Sequence, residues 1–156
     1  MAERDSPGVI VPPPLIFLVA LVAGLALDRF LLGFATSVGA TARYILGGLL
    51  TLLGVLAIAM ALNLFRRAGT RPEPWRSSSA IVETGLYRFT RNPMYLGMAM
   101  IYAGAAVMLD SLVSLVLLAP LLFVIQRSVI GREEAYLEQK FGQPYREYKS
   151  RVRRWL

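Results

Sequence analysis

The chain has 156 residues, of which 56% are hydrophobic, and its formal net charge is +7. This length suits a single domain, and the apolar fraction is typical of membrane proteins. Because the chain contains neither cysteine nor histidine, it cannot form disulfides or use a thiolate nucleophile, a histidine base or a histidine-ligated zinc ion. We therefore expect no metal site, and we expect membrane lipids as partners rather than nucleic acid, since the basic clusters adjoin apolar segments.

The first apolar segment predicts a membrane span at 13–33. Three prolines at 12–14 place its start, because proline is not tolerated in a helix interior. A signal peptide is the alternative, since its apolar core has a similar length. The charged residues at 3–5 sum to a negative value, however, and no small-residue cleavage pattern follows. The segment therefore favours a span.

A second, full-length span is predicted at 45–65, after a loop of small residues at 36–43. The composition then changes sharply over 66–80, where arginine, proline and serine dominate. We interpret this stretch as an interfacial loop, with Trp75 as a membrane-interface anchor.

The apolar stretch 94–125 is too long for one crossing, because it would measure about 48 Å as a helix against a hydrocarbon core of about 30 Å. Asp110 and Ser111 divide it, and both residue types are good N-caps for a returning helix. The sequence therefore predicts a helical hairpin with spans at 94–109 and 111–130.

Charge supports the hairpin. Fourteen of the seventeen basic residues lie in two regions, six in 66–93 and eight in 127–156. A hairpin places both regions on one side of the membrane, as the positive-inside rule requires. We therefore predict an all-α integral membrane protein of four spans, one domain over 1–156, with both termini cytoplasmic in a prokaryotic inner or plasma membrane.

The tail 131–156 is too polar to span a membrane, and apolar residues recur in it every three or four positions. This spacing predicts an amphipathic helix packed on the membrane face of the domain. The sequence Gly142-Gln143-Pro144 interrupts the pattern, so we expect two short cytosolic helices.

Two motif blocks are not explained by apolar patterning. The first, within 82–97, carries Gly85, Tyr87, Arg91, Asn92, Pro93, Tyr95 and Gly97. Pro93 suits the first position of a helix, so Tyr95 falls on its first turn while Arg88 and Arg91 are expected at the surface. The second block carries Glu133, Glu134, Leu137, Phe141, Gly142, Tyr145, Tyr148 and Arg151.

These blocks resemble the isoprenylcysteine carboxyl methyltransferase / phospholipid methyltransferase superfamily of integral membrane enzymes. The family pattern is Gly-x-Tyr-x-x-x-Arg-His-Pro-x-Tyr-x-Gly, followed by paired glutamates and an aromatic, basic end. The resemblance covers about residues 45–156. Asn92 departs from it by replacing the family histidine with a side chain that hydrogen-bonds but does not titrate.

The resemblance implies S-adenosylmethionine as methyl donor. Such a ligand needs carboxylates for its cationic groups, an arginine for its carboxylate and aromatic rings for its flat or cationic parts. Arg91 and Glu134 are the implied catalytic residues, and Glu133 or Glu134 could take a proton from an amine acceptor. The implied cofactor-binding residues are Gly85, Tyr87, Arg88, Asn92, Pro93, Tyr95, Gly97, Glu133 and Glu134.

Ordinary structural roles compete with these assignments. Glu133 and Glu134 could complement a helix dipole, and Arg91 could anchor a lipid headgroup. Gly97 and Gly104 recur seven apart, which also suits helix packing in lipid. Tyr145 and Tyr148 are expected to pack the tail rather than to contact a cofactor.

The resemblance thus implies methylation of a lipophilic small molecule or lipid, at a carboxylate, thiol or amine, with the acceptor arriving from the bilayer. Two alternatives stay open. One is a membrane reductase related to the sterol reductases, which bind NADPH. The other is a non-catalytic membrane scaffold of the same fold.

Overall fold

The computed structural model describes residues 6–34 and 38–156, and all regular secondary structure in these residues is helical. The charged residues at 3–5 and part of the predicted loop 36–43 lie outside the described residues. The α-helices in chain order are α1 (Pro13–Leu27), α2 (Ala40–Arg67), α3 (Pro93–Met108), α4 (Leu112–Ile125), α5 (Gly131–Phe141) and α6 (Gln143–Arg151). The shorter elements are π turns at Asp28–Leu32 and Gln126–Ile130 and a 3-10 helix at Gly85–Arg88.

Three helical segments of the described chain are long and apolar enough to cross a membrane: Pro13–Leu32, Ala40–Arg67 and Leu112–Phe141. Helix α3 has 16 residues, or about 24 Å at the usual helical rise. The all-helical membrane class is therefore confirmed. The crossing by α3, and with it the count of four, stays a prediction.

Two helix boundaries differ from the sequence prediction. Helix α2 begins at Ala40, so its first turn occupies part of the predicted loop, where Arg43 is held by an ion pair with Asp110. Helix α4 also continues through a π turn into α5 without a break at residue 131. Neither change moves the apolar segments, because the extra turns are polar or made of small residues.

Helices α3 and α4 pack against each other as a helical hairpin, as predicted, while the crossing of the membrane by both stays a prediction. Ser111 is the N-cap of α4, and its hydroxyl accepts a hydrogen bond from Ser114 N at 3.2 Å. At the other end of the pair, the hydroxyl of Tyr95 donates to Glu133 Oε1 at 2.7 Å. The start of α3 therefore lies beside the end of α4, and the loop before α3 and the tail after α4 share one end of the bundle.

Glycines let α2 and α3 pack backbone against backbone. A Cβ atom added to Gly54 would lie 2.5 Å from the carbonyl oxygen of Gly97, and one added to Gly47 would lie 2.5 Å from that of Gly104. Small residues allow such close approach between helices in lipid. The packing alternative considered for Gly97 is therefore realised in the structure.

Helix α1 packs against α3 and α4. Phe17 and Tyr102 meet edge to face there, with ring centroids 6.3 Å apart, and Ile125 of α4 is fully buried in the same cluster. A smaller cluster of Ala61, Val82 and Tyr87 lies between the end of α2 and the loop before α3. The two clusters fix the helix ends that surround the site described below.

A polar cluster closes the α3–α4 turn. This turn cluster consists of Asp28, Arg43, Asp110, Ser111 and Ser114. Asp28 Oδ2 accepts a hydrogen bond from the Ser111 hydroxyl at 2.6 Å, and Asp28 Oδ1 accepts one from Phe34 N at 3.0 Å. Arg43 pairs with Asp110 at 2.5 Å. The cluster thereby ties the end of α1 and the start of α2 to the turn.

Candidate functional site

A cavity of about 320 Å³ lies at the end of the bundle opposite the turn cluster. Its walls come from the start of α1, the end of α2, the loop that follows α2, the start of α3, and helices α5 and α6. The volume falls at the lower end of the range for small-molecule sites. The predicted site residues in its wall are Tyr87, Arg91, Asn92, Tyr95, Glu133 and Glu134.

The other four predicted residues lie outside the cavity wall. Gly85 adopts a φ of +59° at the start of the 3-10 helix, a conformation that favours glycine. Arg88 is exposed, and Pro93 is the buried first residue of α3. Gly97 faces α2. Their predicted contact with a cofactor stays a prediction.

The two motif blocks meet at Tyr95 and Glu133. Tyr95 stands on the first turn of α3 because Pro93 starts that helix, and Glu133 stands on the first turn of α5. The bond between the Tyr95 hydroxyl and Glu133 Oε1, at 2.7 Å, joins residues 38 positions apart in the sequence. This hydrogen bond fixes both side chains at the cavity wall.

Glu134 is clamped between two arginines. Arg91 Nη2 lies 3.0 Å from Glu134 Oε1, while Arg154 donates from Nε to Oε1 at 3.0 Å and from Nη2 to Oε2 at 2.5 Å. The side chains of Arg91 and Glu134 are only 9% and 7% exposed. The expectation of a surface position for Arg91 is therefore wrong, because the buried carboxylate draws the guanidinium inward.

The end of the chain is strapped to the first motif block. Arg91 N donates to the carbonyl of Arg153 at 2.9 Å, and the Thr90 hydroxyl donates to that of Arg154 at 3.2 Å. Asn92 Nδ2 donates to the same Arg154 carbonyl at 2.8 Å. Asn92, at the family histidine position, therefore holds the strap as well as lining the cavity.

Three tyrosines form a buried floor where α6 meets the first block. The hydroxyl of Tyr148 donates to the carbonyl of Tyr87 at 2.9 Å, and the ring of Tyr145 lies 6.1 Å from that of Tyr148. Burial raises the pKa of all three hydroxyls, so they stay protonated. Tyr145 and Tyr148 pack the tail as expected, and they also line the cavity.

The loop after α2 covers one side of the cavity. Ser79 N donates to the Thr70 hydroxyl oxygen at 2.9 Å, which closes the base of the loop, and Ser78 N donates to the Tyr136 hydroxyl of α5 at 3.2 Å. Trp75 and Glu73 of this loop line the cavity. Composition alone predicts Trp75 at the membrane interface and does not single out Glu73.

Apolar side chains of α1, α2 and α3 line another part of the cavity. They are those of Pro13, Pro14, Leu62, Phe65, Met94 and Met98. The same cavity is also lined by charged side chains, those of Glu73, Glu133, Glu134, Arg71 and Arg91. Such a site suits two ligands of different polarity meeting at the membrane surface.

Comparison with known proteins gives a consistent result. The phospholipid methyltransferase family matches residues 42–144. A protein of Haemophilus influenzae is 46% identical over 65 residues, which make up 40% of this chain and all of that protein. Protein-S-isoprenylcysteine O-methyltransferase of Schizosaccharomyces pombe is 33% identical over 72 residues, and that of Saccharomyces cerevisiae is 30% identical over 121 residues.

The matches to the two yeast enzymes cover 46% and 76% of this chain, but only 30% and 51% of the enzymes themselves. The match thus spans somewhat less than a third of the first enzyme's length and about half of the second's. No solved structure matches the chain significantly. Both motif blocks begin within the matched region 42–144, which also contains α3, α4 and α5.

Proposed function

Because this chain belongs to the phospholipid methyltransferase family, we propose that it is an S-adenosylmethionine-dependent methyltransferase that acts on a lipophilic acceptor at the membrane. The observation that carries the proposal is the meeting of the two motif blocks around one cavity. Tyr95 bonds Glu133 and Arg91 pairs with Glu134 in its wall. Residues distant in sequence thus converge where a polar end adjoins an apolar side.

The cavity wall fits the chemistry of the donor. The tyrosine and tryptophan rings of Tyr87, Tyr95 and Trp75 offer faces to a nucleoside or a sulfonium. Glu133 offers a carboxylate to a cationic group, and Arg91 offers a guanidinium to a carboxylate. When bound, S-adenosylmethionine would supply an activated methyl group.

The apolar side favours an acceptor that arrives laterally from the bilayer. Leu62, Met94 and Met98 line the cavity and belong to apolar helices. They would bind the hydrocarbon part of the acceptor and exclude water from the reacting atoms. Holding the acceptor atom in line with the methyl group removes much of the entropic barrier, which is the main contribution expected from this chain.

A proton acceptor is needed if the acceptor is an amine. In the described part of the chain, Glu134 is neutralised by Arg91 and Arg154, whereas Glu133 accepts from Tyr95 and pairs with no arginine. The role of base therefore falls to Glu133. Glu134, with Arg91, then acts by holding the two motif blocks together.

We place the cavity on the cytoplasmic side, because the regions that form it hold most of the basic residues. This puts both chain ends in the cytoplasm, and an inner or plasma membrane of a prokaryote provides the donor on that side. The reductase alternative gains no support from the comparisons, since both yeast relatives are methyltransferases by name.

Two measurements test the function. Membranes containing the protein are incubated with isotopically labelled S-adenosylmethionine, and mass spectrometry of the lipid extract should reveal a labelled, lipophilic product that is absent without the protein. Calorimetry of the detergent-solubilised chain should detect binding of S-adenosylhomocysteine and no binding of NADPH. Binding of NADPH alone would indicate the reductase, and binding of neither would indicate a scaffold.

A further inference from the structure

Two buried polar atoms in the cavity-lining side chains have no hydrogen-bond partner among the described residues. They are Glu73 Oε2, an acceptor, and Arg91 Nε, a donor. Buried polar groups are almost always paired, because leaving one unpaired costs free energy. Two such atoms of opposite charge type in one cavity indicate a ligand that carries both a donor and an acceptor.

Glu73 is presented by a stiff segment of chain. It lies between Pro72 and Pro74, which restrict the backbone on both sides. Its carbonyl accepts from Arg76 N at 3.0 Å in a turn. Because Ser79 closes the loop onto Thr70, the backbone that carries the carboxylate is held in position.

Glu73 also differs from the other two glutamates of the cavity wall. Both oxygens of Glu134 are occupied by arginines, and Glu133 accepts the hydroxyl of Tyr95. Glu73 is the one of the three with a buried oxygen that lacks a donor. A cation that donates hydrogen bonds would satisfy this oxygen.

We infer that Glu73 binds the ammonium group at the amino-acid end of the methyl donor, with Arg91 Nε binding the adjacent carboxylate; this rests on the proposed function. An ammonium has three N–H donors, whereas the sulfonium of the same molecule has no N–H or O–H to donate to an orphaned acceptor. The ammonium and carboxylate are attached to one carbon atom, which matches one orphaned acceptor and one orphaned donor in a single wall.

The test uses the full chain in detergent and isothermal titration calorimetry. Three ligands are compared: S-adenosylhomocysteine, its analogue without the α-amino group, and 5′-methylthioadenosine, which lacks the whole amino-acid end. Glu73→Gln should weaken S-adenosylhomocysteine binding about 10- to 100-fold, as expected for loss of a charged hydrogen bond. Binding of methylthioadenosine should stay within about twofold.

The deaminated analogue makes the test independent of folding. It should bind the unaltered protein about 10- to 100-fold more weakly than S-adenosylhomocysteine does, and Glu73→Gln should add no further loss for it. Equal binding of the two ligands by the unaltered protein would overturn the inference even if every Glu73 variant failed to fold.

The matched control is Glu147→Gln, which removes a carboxylate that bonds Gln143 on the exposed face of α6 and leaves the cavity unchanged. Unaltered S-adenosylhomocysteine affinity in Glu73→Gln, or an equal loss for methylthioadenosine, would contradict the inference while leaving the proposed function intact. If the unaltered protein bound no nucleoside at all, the proposed function itself would fail.

Discussion

The two ends of the helical bundle both concentrate polar side chains, but they arrange them differently. In the turn cluster, Asp28 accepts from Ser111 and Phe34, and Asp110 pairs with Arg43, so both carboxylates are occupied by nearby protein groups. At the cavity end, charged groups surround an open volume of about 320 Å³, and Glu73 keeps a buried oxygen without a partner.

The two ends differ in their carboxylates, since each end also has one buried arginine Nε without a partner among the described residues, on Arg43 and on Arg91. A carboxylate satisfied within the protein lowers the free energy of the folded chain by itself, whereas one that lacks a partner is stabilised fully only if a ligand supplies it. We therefore expect substitutions in the turn cluster to change stability alone. Substitutions at the cavity should change binding, with or without a change in stability.

The largest expected effect is a difference in labelling between the two ends of the bundle, which we predict to lie on opposite sides of the membrane. Because the chain has no cysteine, single cysteines can replace the exposed residues Arg76, Gln143 and Gly39. A membrane-impermeant thiol reagent should label the first two from the same side and the third from the other side. Labelling of positions 76 and 143 from different sides would rule out a cavity shared by the loop and the tail.

At the cavity end, Glu134→Gln should have the largest effect on both stability and nucleoside binding. It leaves Arg91 and Arg154 without their shared carboxylate, and breaking a buried ion pair costs about 3–5 kcal/mol. We expect the free energy of unfolding to fall by this amount and nucleoside binding to be lost. Chemical unfolding in detergent and calorimetry measure the two quantities.

Its matched control is Glu138→Gln, which removes the partly exposed pair with Lys149. Exposed pairs contribute at most about 1 kcal/mol, so this variant should unfold and bind almost as the parent does. Similar losses in Glu134→Gln and Glu138→Gln would mean that the clamp around Glu134 has no special weight.

Between the two ends, Gly54→Ala should destabilise the α2–α3 contact. The added Cβ would lie 2.5 Å from the Gly97 carbonyl oxygen, and overpacking of this kind costs about 1–3 kcal/mol. Gly48→Ala, on the same helix with nothing within 4 Å of the new atom, should be neutral or stabilising. Equal unfolding midpoints for the two variants would show that the close approach of α2 and α3 at Gly54 does not limit stability.

At the turn cluster we expect an effect on stability and none on binding. Asp28→Asn weakens the hydrogen bonds from Ser111 and Phe34, and we expect a loss of about 1–3 kcal/mol in unfolding free energy. The affinity for S-adenosylhomocysteine should stay within about twofold, because the cavity lies at the other end. A larger change in affinity would show that the two ends are coupled and would contradict a purely structural role for the turn cluster.

Local patterns allowed much of the fold to be predicted from the sequence. Ser111 caps α4, Pro93 begins α3 and Gly142 separates α5 from α6, and each of these effects acts within a few residues along the chain. The first turn of α2 was missed because small residues suit a loop or a helix equally. In the structure, Arg43 of this turn pairs with Asp110, 67 positions away.

The site was predicted only in part, for a related reason. Tyr95 and Glu133 belong to recognisable motif blocks, but Arg154 reaches Glu134 from the basic end of the tail, and the apolar spacing of the tail does not single it out. Arg91 was expected at the surface because nothing nearby in sequence reveals its buried partner. Glu73 lies among prolines and arginines in a stretch typical of an interfacial loop. Such contacts depend on how distant segments fold together, and composition does not record them.

The strap between the first motif block and the tail has a consequence for how this chain can diverge. Thr90, Arg91 and Asn92 all donate to main-chain carbonyls of residues 153 and 154, and every amino acid carries a carbonyl. The tail can therefore accumulate neutral substitutions at position 153 without loosening the strap. At position 154, selection would act on the guanidinium that reaches Glu134. Homologues should therefore vary freely at position 153 and retain arginine at position 154.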